Sequence, residues 1–320
     1  MKILAIQNRM GIGDTVIFLP FIEAISKKYH IPIDLLVRES SKTEEFLNET
    51  SYINKIHTLD RNFLSNGRHD GILGFFNLVR DIRKENFDKI FIFNSSLRFN
   101  LIGKFSKAKE IIQYPLLNKK DQHIINTAKK FIKENINVSV ETNAKIFISH
   151  KNVEEAVKQH KINKDKKNIL LGIGGSGPTK RIPSQTFIKV IEMISKVKNC
   201  NFYLATGQNK EEQIILREIM NSEFCNLCLP IDKLTIAETL PIIKNCQASI
   251  CNDTSFSHLS AALGVNTITL MADTPLMYGS YSPRMYPITP DGVTEVSHHT
   301  SGKDKINPIK IYKKLLELLN

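Results

Sequence analysis

The stretch NILLGIGG, residues 168–175, runs from a short apolar segment straight into a glycine turn. A strand buried on both faces of a parallel sheet reads this way, because helices cover both sides and no polar alternation is needed. The pattern continues outward in both directions. After it come a strand at 201–206 (NFYLAT), a helix over about 210–221, the short run LPI, a helix across 235–245, a strand at 248–253 (ASICND), a helix to Leu263 and a strand at 267–272 (TITLMA). Before it, KILAIQ (2–7) leads through Gly11 and Gly13 into a helix over 14–29. Strands at 33–38 (IDLLVR), 56–59 and 89–94 (KIFIFN) then alternate with helices over 41–49 and 72–85. Strand and helix alternating in this way predict an α/β protein with parallel sheets and right-handed crossovers. The polar, lysine-rich segment 153–168 reads as a linker between two such halves. The expectation is two Rossmann-like domains, 1–160 and 161–302, with a ligand cleft at the carboxyl ends of their strands. A last helix within 303–320 is expected to pack on the first domain or its hinge.

Composition narrows the class. The 320 residues are 42% hydrophobic and 24% charged, which excludes disordered, collagenous and coiled-coil chains. No run of about 18 apolar residues is present, and the start goes directly into a strand, so a soluble cytoplasmic protein is expected. The net charge of +12 favours anionic partners or a solvated lysine-rich surface. No nucleic-acid-binding motif accompanies it, and no nucleic acid partner is expected. Cys200, Cys225, Cys228, Cys246 and Cys251 are odd in number and match no zinc spacing, so they read as reduced thiols.

Three places carry residues suited to chemistry. In Gly11-Ile12-Gly13-Asp14 an acid stands at the helix start, where the pyrophosphate of a dinucleotide would sit, so dinucleotide binding is disfavoured. Asp14 reads as a general base or as a simple helix cap. GIGGSGPTKR (172–181) lacks the spacing of a Walker loop, yet Gly174, Gly175 and Ser176 offer donors to phosphate oxygens and Lys180 offers charge. In CNDTSFSHLSAALG (251–264), Asp253 ends a strand, Thr254 and Ser255 open a helix, and His258 follows at helical spacing on the same face as Thr254. The stretch 98–133 holds nine Lys/Arg against two acids. Arg98, Lys104, Lys107, Lys119 and Lys120 are candidates to meet a phosphorylated acceptor, with a solvated face as the alternative.

Taken in order, these segments resemble glycosyltransferase family 9, the bacterial heptosyltransferase-like family. GIGDTVIFLP resembles its G-D…P opening, with Pro20 in place. TKRIPSQTF resembles its K-x-W-P-x-x-x-F segment, with Ile182 where tryptophan is usual. TGQNKEE resembles its G-x-x-x-E turn, and NDTSFSHLSAALG its D-[ST]-G-x-x-H-[LI]-x-A-A-L-G segment, with Ser255 in the glycine position. The resemblance implies a GT-B fold and inverting transfer of a heptose or related sugar to an envelope glycan or lipopolysaccharide-core acceptor. It implies Asp14 as the base and Lys180 at the donor diphosphate. It further implies Gly175, Ser176, Glu211, Asp253, Thr254, Ser255 and His258 around a nucleotide-sugar, with an ADP-sugar the expected donor. Gly13, Arg98 and Lys104 are the acceptor-side candidates. No metal-binding carboxylate pair such as D-x-D is evident, so no obligatory cofactor or metal is expected and magnesium would at most stimulate. A phosphorylated glycan or glycolipid acceptor would bring peripheral contact with the cytoplasmic face of the inner membrane. The alternatives are another GT-B nucleotide-sugar enzyme, such as a 2-epimerase, and a catalytically silent nucleotide-sugar binding protein.

Overall fold

The computed structural model describes residues 1–62, 67–116 and 123–320. The chain divides into two compact units, Met1–Ala144 and Lys145–Asn320. The first contains β1 (Ile3–Ile6), α1 (Ile12–Tyr29), β2 (Ile33–Arg38), α2 (Glu44–Leu47), β3 (Ile53–Leu59), α3 (Gly71–Lys84), β4 (Lys89–Ile92), α4 (Leu97–Phe105), β5 (Glu110–Gln113) and α5 (Ile124–Ile136). The second contains α6 (His150–Gln159), β6 (Lys167–Gly172), α7 (Ser184–Ser195), β7 (Cys200–Ala205), α8 (Lys210–Met220), β8 (Cys228–Pro230), α9 (Ile236–Lys244), β9 (Ala248–Asn252), α10 (Ser255–Ala262), β10 (Asn266–Leu270), β11 (Met285–Ile288) and α11 (Pro308–Leu319).

Each unit is built on one parallel sheet, ordered β3-β2-β1-β4-β5 in the first and β11-β10-β9-β6-β7-β8 in the second. Position in the sheet explains the composition of each strand. Central β1 and β2 are buried at every residue, whereas β3 and β5 at the sheet edges carry exposed polar side chains. In each sheet the strand order reverses once, between β1 and β4 and between β6 and β9. The chain leaves those neighbouring strands in opposite directions and opens a crevice at their carboxyl ends. Close packing beneath the second crevice needs a glycine: a Cβ on Gly172 would lie 2.7 Å from Cys251 Sγ and 3.0 Å from Cys251 Cβ.

One expectation about the ends of the units needs correction. The boundary lies at 144/145 rather than near 160, because part of the polar segment read as a linker is α6. The Ser149 hydroxyl caps this helix, and α6 packs on α9, where Asn245 Nδ2 donates to the Val153 carbonyl at 3.2 Å. The terminal helix α11 belongs to the second unit. Ile311, Leu315 and Leu319 recur at four-residue spacing and form one apolar stripe, which joins the core of the second unit against α7. Ile182, in the usual tryptophan position, is fully buried in that same core. All five cysteines are free, and burial pushes the Cys200 thiol up to about 11 and those of Cys228 and Cys251 to about 12. Among the described residues no helix is long and apolar enough to cross a membrane.

Candidate functional site

In the second unit the reversal point between β6 and β9 gathers most of the donor-side residues named from the sequence. Asn252, the last residue of β9, reaches across it and donates from Nδ2 to the carbonyls of Ile173 and Gly174, both at 2.9 Å. Arg181 Nε donates to the Gly175 carbonyl at 2.9 Å, and the Gly175 N–H donates to Glu212 Oε1. The glycine turn is thus tethered from three sides, and Gly175 is buried while Ser176 is exposed. Lys180 Nζ lies 2.6 Å from Asp253 Oδ2. Burial of Asp253 pushes its carboxyl upward, but the Lys180 charge and hydrogen bond, with the His258 charge adding, outweigh burial and hold it below the usual carboxylate range. The pair therefore stays ionised, with the ammonium fixed beside the start of α10.

Thr254 caps α10 in an extended conformation with no side-chain capping bond, and among the described residues its buried hydroxyl has no hydrogen-bond partner. Free N–H groups at a helix start, an unpartnered hydroxyl and a neighbouring ammonium together make an anion site. Ser255 is half-buried at the first helical position. One turn on, His258 is buried and stacks on Tyr281 with ring centroids 5.6 Å apart, its Nδ1 3.0 Å from the phenol oxygen. Burial pushes the Tyr281 phenol far up, so it stays protonated.

One assignment from the sequence differs from the geometry. Glu211 points to solvent on α8, whereas the adjacent Glu212 is buried between two glycine turns. A Cβ on Gly174 would stand 2.7 Å from Glu212 Oε1, and one on Gly207 would stand 2.2 Å from Oε2. Both positions are glycine because the carboxylate fills that space. Two consecutive acids at a helix start differ by about 100° of rotation, which a motif spacing does not resolve.

In the first unit the reversal point lies between β1 and β4, and Asn94 Nδ2 crosses it to Asn8 Oδ1 at 3.1 Å. Asp14, in the first turn of α1, accepts from the Gly11 N–H at 3.2 Å and lies 3.6 Å from Arg9 Nη1. Its carboxylate is about a quarter exposed, so it is both a helix cap and reachable. Gly13 lies half-buried beside it in the same turn. Arg98, which opens α4, donates to the carbonyls of His69 and Gly71 at 2.9 Å and covers the Phe75 ring, so it clamps the start of α3. Lys104 is exposed in the last turn of α4, at the end remote from the strand ends, and Lys107 is exposed beyond it. Lys119 and Lys120 lie outside the described residues. The sequence reading missed Arg38 and Arg61. Arg38 ends β2 and donates from Nε to the Asn8 carbonyl at 2.8 Å, while Arg61 Nε pairs with Asp70 Oδ1 at 3.1 Å. Burial, with the Arg61 charge adding, lowers the pKa of both Arg38 and Arg98, against the opposing charge of Asp70. The strand ends of this unit therefore concentrate positive charge that no local motif announces.

Asp34, His57 and Glu85 also converge closely enough to hold a cation, with Asp34 at the end of β2 opposite Arg38. Lys2 Nζ bonds to Glu85 and lies 3.6 Å from Asp34 Oδ2, so an ammonium already occupies that place.

The family model of glycosyltransferase family 9 (heptosyltransferase) matches residues 76–292. The chain belongs to glycosyltransferase family 9. Solved structures agree in fold. A family 9 glycosyltransferase from Veillonella parvula superposes with a TM-score of 0.80 at 17% identity, covering 99% of this chain and 97% of that one. E. coli heptosyltransferase WaaC with ADP gives 0.74 at 12% identity, covering 99% and 100%, and E. coli ADP-heptose lipopolysaccharide heptosyltransferase II gives 0.73 at 15%, covering 100% and 98%. The comparison with curated proteins returned no match. This family 9 chain has the two Rossmann-like units of the GT-B class, and its family supports nucleotide-sugar glycosyltransfer.

Proposed function

We propose that this family 9 chain is an inverting glycosyltransferase that moves a heptose or related sugar from an ADP-sugar to an envelope glycan or lipopolysaccharide-core acceptor. The observation that carries the reading is the anion site of the second unit: the Thr254 hydroxyl, without a partner among the described residues, at the start of α10 beside the fixed Lys180 ammonium. The donor diphosphate binds there, with the exposed Ser176 reaching it from the glycine turn. The acceptor hydroxyl loses its proton to Asp14, and its oxygen forms the new bond to the anomeric carbon as the bond from that carbon to the diphosphate oxygen breaks. The electron pair leaves with the nucleoside diphosphate, whose added charge Lys180 and the α10 N–H groups stabilise. Single displacement inverts the anomeric centre. The concentrated arginines of the first unit suit an acceptor that carries phosphate or carboxylate. Such an acceptor, when lipid-linked, places the chain on the cytoplasmic membrane face.

A thermal-shift series with ADP-, GDP-, UDP- and dTDP-sugars tests the donor. Only the ADP-sugar is expected to raise the midpoint by several degrees at saturating concentration, and a shift confined to a UDP-sugar would overturn the choice of nucleotide. Glu212 separates this site's chemistry from its sequence motif. Glu212→Gln removes a charged acceptor from the donor turn and is expected to weaken ADP binding by about ten- to a hundredfold, as for loss of a charged hydrogen bond. Glu211→Gln, altering an exposed side chain, should leave the calorimetric Kd unchanged.

A further inference from the structure

The exposed side of α3 has a composition that the reaction does not use. Apart from Gly71 at its start, every exposed residue of this helix is a large hydrophobe or a cation: Ile72, Leu73 and Phe76, then Arg80, Arg83 and Lys84. At 100° per residue these six fall on one stripe about 120° wide, apolar toward the helix start and cationic toward its end. Ile72, Leu73 and Phe76 are 78%, 80% and 58% exposed, values reserved in soluble surfaces for scattered positions rather than one helical turn. The neighbouring α4 extends the apolar area. Phe105, 58% exposed, stacks edge-on against Phe75 with centroids 6.0 Å apart, and the exposed Lys104 and Lys107 flank it.

We infer that this face of α3 docks on the surface of an anionic lipid bilayer. A large apolar turn continuous with a cationic one is the pattern of a helix that lies in the headgroup region, with hydrophobes inserted and cations on lipid phosphates. Charge decides between this occupant and a second copy of the chain. The stripe contains no carboxylate, so pairing it with itself leaves all the cations uncompensated, whereas an anionic bilayer supplies a phosphate for each. The start of α3 follows the carboxyl end of β3 and is held by Arg98, so the inserted turn sits at the edge of the sheet that carries Asp14 and the arginines. The proposal rests on the reading that the acceptor is a glycolipid, which would then meet the strand ends of the first unit without leaving the membrane.

The test is sedimentation of the full chain with phosphatidylcholine vesicles containing about a third phosphatidylglycerol, and with phosphatidylcholine alone, without donor or acceptor. The wild type is expected to bind only the anionic vesicles, and 0.5 M salt should release most of it. An Ile72→Asn, Leu73→Asn pair should weaken binding at least tenfold, and Arg80→Glu with Arg83→Glu should do the same without touching the apolar turn. These positions are exposed, so an unchanged melting temperature and ADP-sugar shift report an intact fold and donor site. No binding by the wild type, or equal binding by both variants, overturns the proposal even where the donor shift persists. A concentration-dependent dimer in light scattering that the Ile72→Asn, Leu73→Asn pair abolishes overturns it in favour of a second copy. Loss of the donor shift in the wild type, with vesicle binding retained, would instead count against the function.

Discussion

Asp14→Asn is expected to lower kcat by about 10²–10⁴-fold, the range for removing a positioned general base. The amide still accepts from the Gly11 N–H, so the cap of α1 survives in geometry and only its charge at the helix start is lost, a change of about 0.3–1 kcal/mol. The proposed donor site lies in the other unit, so the calorimetric Kd for the ADP-sugar should not move. Release of nucleoside diphosphate in the presence of acceptor is the measurement, made beside a melting curve. Full activity in the variant would remove Asp14 from the mechanism. A silent binding protein would show no acceptor-dependent release even before substitution.

Lys180→Ala is the second large effect, and it should appear twice. Lys180 neutralises a carboxylate that is 8% exposed, and its removal strands that charge. The expected destabilisation is about 3 kcal/mol, the lower end of the range for breaking a buried pair, because the ammonium itself is 24% exposed. ADP-sugar affinity should fall about tenfold or more with the loss of a charged phosphate contact. The double variant Lys180→Ala, Asp253→Ala separates the two roles: urea unfolding should recover most of the lost stability, while donor affinity stays low. Acidity gives an independent check. The folded carboxyl of Asp253 is held below its unfolded value of about 3.9, so its contribution is present above that pH and disappears as pH falls through the lower folded value. Asp253→Asn should flatten that acid limb of the stability profile.

How far these sites can be read from residues alone depends on whether their neighbours are local in the chain. The strands β1, β4, β6 and β9 are short apolar runs because both sheet faces are covered, and that constraint writes itself into consecutive residues. The glycine turn and the start of α10 are equally local. Glu212 was missed because its identity as the inward acid is fixed by a helix rotation and by the room left at Gly174 and Gly207. Arg38, Arg61 and Arg98 come together from the end of β2, the loop after β3 and the start of α4, and only the sheet order makes them neighbours. The segment over α6 looked like a linker because a short surface helix buries little, here Ala156 alone, and its docking partner α9 lies far along the chain.

The last helix has a consequence for how such chains diversify. Because α11 ends inside the core of the second unit, the polypeptide passes from one unit to the other a single time, at 144/145. Each unit is one uninterrupted stretch of chain. A gene fusion at that junction therefore exchanges one entire unit without interrupting the chain of the other. On the proposed division of roles, recombination there recruits a new acceptor while the unit proposed to bind the nucleotide is inherited unchanged.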